Sequence, residues 1–246
     1  MDASGFELEI RSLEQAHIVD GVVIEAFPSM GISATIAGLY IVGALKLHEI
    51  AAISSAHFPP ISVVSANKPE FPARIYGREG VRVMVCISEF AMPAGLHMQL
   101  AKSILSWSQT QKCSLVISSS GTPLSKSSRN GEVRGVGSNE QTRQKLKNAG
   151  ISLFESGVVS GLSAALLNEG RLNNVDVVAL VLDVDPEVID TRAASGILKA
   201  IGKLLPDDHI DGTLPDQDAQ RIENRLKALR QEQTEQDPDS HSSTYG

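Results

Sequence analysis

Two carboxylates stand where α/β proteins often place their chemistry, near the carboxyl ends of apolar, strand-like runs. Glu25 lies at the end of the run VVIEA, and Glu89 follows the run VRVMVCI that begins at Val81. Carboxylates at the ends of neighbouring strands can divide the roles of general acid and general base between them. The same positions also suit a carboxylate that caps a turn or pairs with an arginine. The sequence leaves both interpretations of Glu25 and Glu89 open and favours the second.

A run of hydroxyl residues follows another apolar run, LVIS. Ser118, Ser119, Ser120, Gly121 and Thr122 open a long polar segment that reaches residue 138. Open α/β sheets bind ligands beyond the carboxyl ends of their strands, and a loop there would offer N–H groups and hydroxyls to an anion. Polar surface loops without any ligand have the same composition. The sequence therefore makes this loop a candidate ligand site and leaves the plain interpretation beside it.

Common catalytic and cofactor motifs are absent from the sequence. Ser160 and Ser163 lie near glycines but outside a GxSxG frame, and the turn FPSMG at residues 27–31 lacks the GxGxxG spacing of a dinucleotide site. The histidines show no metal-binding spacing such as HExxH; they are His17, His48, His57, His97, His209 and His241. We expect no metal, no cofactor and no enzymatic activity.

The elements that would position these residues follow from the hydrophobic pattern. Residues 22–47 are typical of a buried strand, a sharp turn and an apolar helix rich in small residues, which would pack close to a sheet. The strand–helix–strand pattern recurs through VRVMVCI, a helix that contains Trp107, and the run at residues 114–118. This recurrence predicts an α/β protein with a parallel sheet and right-handed crossovers.

Composition and charge exclude several classes of protein. Of the 246 residues 42% are hydrophobic and only 4% aromatic, so aliphatic side chains must build the core. The net charge is −7, of which −6 lies from Asp207 onward, and this acidity argues against a nucleic-acid partner. Cys86 and Cys113 form no CxxC pair, which favours a reduced, cytoplasmic protein. No apolar run is long enough to span a bilayer, so no membrane association is expected.

The C-terminal part of the chain differs from the rest. We divide the chain into an α/β core domain at residues 1–206, a linker and helix at 207–231, and a flexible acidic tail at 232–246. Ile222, Leu226 and Leu229 give the helix a narrow apolar stripe, which would dock on the body or on a partner. The final residues Thr244, Tyr245 and Gly246 suit a docking motif, in which the ring fills a pocket and a terminal carboxylate meets a lysine.

A set of short segments, none specific alone, carries a family resemblance across residues 21–229. The segments are the turn FPSMG with its small-residue helix, FPP at 58–60, RIY at 74–76, the strand ending at Glu89, the helix with Trp107, NE at 139–140, GI at 150–151, GVVSGL at 157–162 and DTRAA at 190–194. Together they resemble the proteasome assembly chaperone family, in its archaeal and prokaryotic branch. One departure is Ala26-Phe27, where the family usually has a glycine.

The resemblance implies a fold and a function. The fold would be a nucleoside-phosphorylase-like, three-layer αβα sandwich around a mostly parallel sheet, and the protein a homo-oligomer. Its partners would be the α subunits of the 20S proteasome, bound without ATP and without catalysis. Archaeal members can end in a hydrophobic–Tyr–any-residue tail that enters pockets between α subunits; here Thr244 replaces the hydrophobic residue. The alternative is an enzyme or sensor for a nucleoside-like or anionic ligand, using Ser118–Thr122 with Glu25 or Glu89.

Overall fold

The structure, a computed structural model, describes residues 8–14, 16, 18–29, 32–65, 67–123, 132–184, 191–205, 210, 213–224 and 226. The strands in this part of the chain are β1 Leu8–Ser12, β2 Val22–Ala26, β3 His48–Ser55, β4 Val63–Ser65, β5 Lys68–Glu70, β6 Ala73–Arg78, β7 Val81–Ser88, β8 Leu115–Pro123, β9 Val133–Gly137, β10 Ser152–Leu153 and β11 Val177–Val184. The helices are α1 Ser33–Ala44, α2 His97–Thr110, α3 Glu140–Asn148, α4 Gly161–Asn173, α5 Thr191–Leu204 and, at residues 216–224, α6.

A mixed sheet forms the middle layer, with the strand order β1-β3-β6-β7-β2-β8-β11-β9-β10. The four central strands β7, β2, β8 and β11 are parallel. On one flank, β1 pairs with β3, β3 with β6 and β6 with β7, all antiparallel. On the other flank, β11 and β9 are antiparallel, and β9 and β10 are parallel. The predicted α/β class is confirmed, and parallel pairing is concentrated at the centre of the sheet. The flank is antiparallel because β6 and β7 are joined by a two-residue turn, which cannot connect parallel strands.

Helices cover both faces of the central strands. One apolar cluster unites α1, α5 and α6 with side chains such as Val22, Ile24 and Ala26. A second cluster unites α2 and α4 with Val23 and Phe27. Successive side chains of a strand point to opposite faces, so Glu25 belongs to the same face as Val23 and Phe27. Its carboxylate therefore lies under α2 and α4.

The C-terminal helix α6 packs on the body. Leu214, Ala219, Ile222 and Leu226 are buried in the cluster that contains α1 and α5. Two members of the apolar stripe that the sequence left to a body or a partner, Ile222 and Leu226, thus pack within the chain, while Leu229 lies outside the described residues. Among the described residues, no helix combines the length and the apolar character that crossing a membrane requires.

Two sequence predictions about residues 118–138 need correction. The residues assigned to a ligand loop, Ser118 to Thr122, continue strand β8, and each pairs with a residue of β11. Residues 133–137 form a second strand, β9, on the other side of β11. Hydroxyl and glycine residues suggested a loop, but pairing with the apolar strand β11 holds this polar segment in the sheet. Residues 124–131 of the predicted loop lie outside the described residues.

Candidate functional site

A cleft lies beyond the carboxyl ends of β2 and β8, where the chain order of the parallel sheet reverses. From β2 the chain goes to β7 on one side, and it then crosses to β8 on the other side. Crevices at such switch points are the usual ligand sites of open α/β sheets. The cavity here has a volume of about 330 Å³. Its lining includes Glu25 and Phe27 at the end of β2, and Ser120 of β8. It also includes Met92, which precedes α2, His97, which begins α2, and Ser163 of α4.

Glu25 begins a chain of hydrogen bonds at the base of this cleft. The N–H of Phe27 donates to Glu25 Oε1 at 2.7 Å, and the hydroxyl of Ser118 donates to Glu25 Oε2. The Ser163 Oγ lies 2.6 Å from the Ser118 Oγ. When Ser118 donates to Glu25, the Ser163 hydroxyl is left to donate to Ser118. Three elements, β2, β8 and α4, are thereby joined through one buried polar chain.

Burial controls the charge of Glu25. The side chain is 3% exposed, and loss of hydration raises the pKa of its carboxyl to about 7, although the hydrogen bonds from Ser118 and Phe27 act in the opposite direction. The neighbouring strand β7 places Cys86 beside Glu25, and burial raises the pKa of this thiol well above its usual value. A carboxyl whose pKa lies near neutrality can both accept and release a proton at physiological pH.

His97 contributes a second titratable group to the cleft. Its Nε2 lies 3.2 Å from the carbonyl oxygen of Met92. A carbonyl only accepts, so Nε2 carries the proton and Nδ1 of the neutral ring remains an acceptor. Partial burial lowers the pKa of His97, while the bond to Met92 opposes that shift.

The other carboxylate that the sequence singled out, Glu89, is held in a buried ion pair. Arg74 of β6, which is fully buried, donates to both carboxylate oxygens of Glu89 at 2.8 and 2.6 Å. It also donates to Glu70 at 2.9 Å and to the Tyr76 hydroxyl oxygen at 2.6 Å. Glu89 therefore pairs with an arginine, and Glu25 accepts from the N–H of a turn. Both contacts are of the kind that the sequence favoured for these carboxylates.

Some of the hydroxyl residues of β8 lie at the cleft, and another contacts the neighbouring strand β11. Ser118 bonds to Glu25 and Ser163, while Ser120 and Gly121 line the cavity. Thr122 instead donates to Asp183 of β11 at 2.8 Å, and Arg134 of β9 pairs with the same carboxylate at 3.0 Å. Only part of the predicted set thus faces the cleft. Thr244, Tyr245 and Gly246 lie outside the described residues.

Sequence reasoning did not find the partnership of Ser163 with Ser118 and Glu25. Ser118 is 45 positions from Ser163 and 93 positions from Glu25 in the sequence. Ser163 belongs to no recognisable motif. A polar residue in the first turn of an apolar helix was the sole signal, and it is common at helix starts. His97 likewise carried no metal or triad spacing that would have marked it.

Comparison with known proteins gives a consistent result. The model of the PAC2 family matches residues 23–230. A relative called uncharacterized protein MJ0106, from Methanocaldococcus jannaschii, is 26% identical over 215 residues, which is 86% of this chain and 86% of that protein. The family match at residues 23–230 therefore extends from β2 to α6 and includes the residues that line the cleft.

Several solved structures share the fold. Pyrococcus furiosus PbaA, described as an archaeal homolog of proteasome-assembly chaperone, has a TM-score of 0.77 at 23% identity and covers 94% of this chain and 99% of its own. A Thermoplasma acidophilum protein of unknown function has a TM-score of 0.78 at 22% identity, covering 91% of each chain. Pyrococcus furiosus PbaB, described as an archaeal proteasome activator, has a TM-score of 0.68 at 20% identity and covers 93% of this chain and 98% of its own.

Proposed function

The chain belongs to the PAC2 family, and from that premise we propose that it is a proteasome assembly chaperone or proteasome-binding factor that contacts 20S α subunits. The observation that carries this proposal is the family match over residues 23–230. Two proteins of the same fold, PbaA and PbaB, are described as a homolog of a proteasome-assembly chaperone and as a proteasome activator. In this proposal the protein works in the cytoplasm as a homo-oligomer, by binding and without ATP or catalysis.

The C-terminal residues are the proposed docking element. Tyr245 would enter a pocket between α subunits, and the carboxylate of Gly246 would meet a basic side chain there. The preceding residues would form a flexible acidic tail that gives this anchor its reach. The helix before it, α6, packs on the body through Ile222 and Leu226.

The experiment is a pull-down of 20S α subunits, with the full chain, a chain lacking Thr244 to Gly246, and the variant Tyr245→Ala. Ser243→Ala is the matched control, since it changes the same tail and leaves the proposed anchor intact. We expect the full chain and Ser243→Ala to retain the α subunits and the other two to lose most of them. Equal retention by all four chains would remove the tail from the mechanism, and no retention by any would refute the proposed function.

A further inference from the structure

Glu25 is a buried carboxylate that has no basic partner among the described residues. In the described part of the chain its hydrogen-bond partners are the Phe27 N–H and the Ser118 hydroxyl, and both groups are neutral. The same protein neutralises another buried carboxylate, Glu89, with Arg74 at 2.6 and 2.8 Å. Buried charges are ordinarily paired, because an unpaired one loses its hydration without compensation. Glu25 differs from Glu89 in one further respect, which is that it lines an open cavity.

The remainder of the cavity supplies acceptors and apolar surface. Among the described lining residues there is no Lys or Arg that would offset the charge of Glu25. Ser120 and His97 also line the cavity, and each has an atom that can accept a hydrogen bond, the hydroxyl oxygen and Nδ1 respectively. Phe27, Met92 and Leu162 give the cavity an apolar wall.

We propose that this cleft binds a small amine, whose ammonium group contacts the Glu25 carboxylate and whose apolar body packs against Phe27, Met92 and Leu162. The ammonium supplies the positive charge that Arg74 supplies to Glu89. Its remaining N–H groups donate to hydroxyl oxygens or to His97. This site is additional to proteasome binding and does not depend on it.

An anion fits the same cleft less well. The start of α4 lies at the lining, and Ser160 at its N-cap makes no side-chain capping bond. A helix N-terminus carries roughly half an elementary charge, which favours an anion. Glu25 carries a full charge when ionised and would repel that anion within the same cavity. The balance of charges therefore favours a cation.

Ionisation of Glu25 makes the binding depend on pH. The pKa of Glu25 in the empty cleft is about 7, so the carboxylate form that attracts an ammonium predominates at pH 8 and is the minor form at pH 6. Among the described residues, the titratable groups near Glu25 are Cys86 of β7 and His97 of α2, which lines the same cavity. Burial keeps the Cys86 thiol neutral and lowers the pKa of His97. Ser118 of β8 and Ser163 of α4 do not titrate. Aliphatic amines stay protonated across this range, so affinity falls about tenfold from pH 8 to pH 6.

The test uses three compounds with one apolar body and different head groups. These are 2-phenylethylamine, 2-phenylethanol and 3-phenylpropionate, titrated into the full chain at pH 8 by isothermal calorimetry. The amine is expected to bind saturably and at least tenfold more tightly than the alcohol, with the carboxylate weakest. Absence of amine binding, equal binding of amine and alcohol, or tighter binding of the carboxylate would overturn the proposal.

Two variants and the pH series complete the experiment. Glu25→Gln keeps the size of the side chain and should abolish amine binding. Glu169→Gln is the matched control, because Glu169 is a buried carboxylate of α4 that pairs with Lys102 and is not at the cavity lining. Unchanged amine affinity in Glu25→Gln would overturn the proposal. The wild-type pH series needs no variant, and an affinity that stays constant between pH 6 and pH 8 would overturn it too.

Discussion

Two buried acids of this protein show how neighbours decide what a carboxylate does. Glu89 lies at the end of β7 next to Arg74. The Arg74 guanidinium neutralises its charge and donates a hydrogen bond to each carboxylate oxygen. Glu25 lies at the end of β2, and its donors in the described part of the chain, the Phe27 N–H and the Ser118 hydroxyl, are neutral. Hydrogen bonds from neutral donors compensate only part of the hydration that burial removes, and the pKa of Glu25 rises from 4.5 to about 7.

At the residue scale, the raised pKa predicts a pH-dependent cost in stability. The folded protein holds a proton on Glu25 between pH 4.5 and about 7 that the unfolded chain has released. The contribution of Glu25 to the free energy of unfolding therefore falls as pH rises through this range and is then constant. Glu25→Gln removes this effect. Relative to wild type, the variant should gain about 2–3 kcal/mol between pH 5 and pH 8, measured by urea denaturation.

The control for this pH dependence is Glu169→Gln, which removes a buried carboxylate of α4 outside the cleft. A gain of the same size in Glu169→Gln would contradict the assignment of the effect to Glu25. So would a Glu25→Gln variant whose stability follows wild type at both pH values.

At the element scale, the turn and helix after β2 serve packing. The turn lacks the glycine spacing of a dinucleotide site, and the helix α1 that follows it lies against the sheet at Gly38. A Cβ added at Gly38 would lie 2.4 Å from the Cβ of Ala26 and 3.3 Å from Val85. The small residues of α1 therefore let the helix approach β2 and β7 closely, as the sequence predicted, and this contact closes one face of the core.

Two glycines of α1 give a matched pair of variants. Gly38→Ala should destabilise the protein by about 1–3 kcal/mol, because the new methyl group displaces the helix from the sheet. Gly43→Ala meets nothing within 4 Å and should stabilise the protein by up to about 1 kcal/mol through helix propensity. Chemical denaturation measures both. Equal effects of the two substitutions would show that α1 does not depend on this close approach.

At the scale of the whole molecule, the acidic C-terminal segment is anchored by a few apolar contacts. The charge from Asp207 onward is −6, yet Leu214, Ile222 and Leu226 are buried against the neutral body. The contact holds α6 on the face of α1 and α5, while α2 and α4 cover the Glu25 cleft on the other face. The cleft and α6 are thus on opposite sides of the sheet.

Ile222 tests whether α6 serves the monomer or an assembly. Its side chain is 7% exposed, and Ile222→Ala should lower the free energy of unfolding by about 2–5 kcal/mol because it leaves a cavity in the core. Gln220→Ala on the exposed side of the helix should change it by less than about 0.5 kcal/mol. Light scattering should show the same oligomeric state for both variants. Dissociation by Ile222→Ala without loss of stability would instead assign the stripe to a subunit interface.

Much of the architecture was predictable from local pattern. The α/β class, the strand–helix unit of β2 and α1 and the hairpin of β6 and β7 follow from hydrophobic period and turn residues, which act over a few positions. The extension of β8 through Ser118, Ser120 and Thr122 was not predictable. Serine and glycine suggest a loop, and the pairing with β11 that overrides this preference joins residues about 60 positions apart in the sequence.

The sequence by itself determined the family, the class of fold, the aliphatic core and the acidity of the C-terminal segment, because each is carried by composition or by short patterns. The tertiary structure decided which polar residues meet. Register between β2 and β8 and the docking of α4 bring Glu25, Ser118 and Ser163 together, and a different register brings Arg74 to Glu89. Contacts of this kind depend on how distant strands align, which no local pattern encodes.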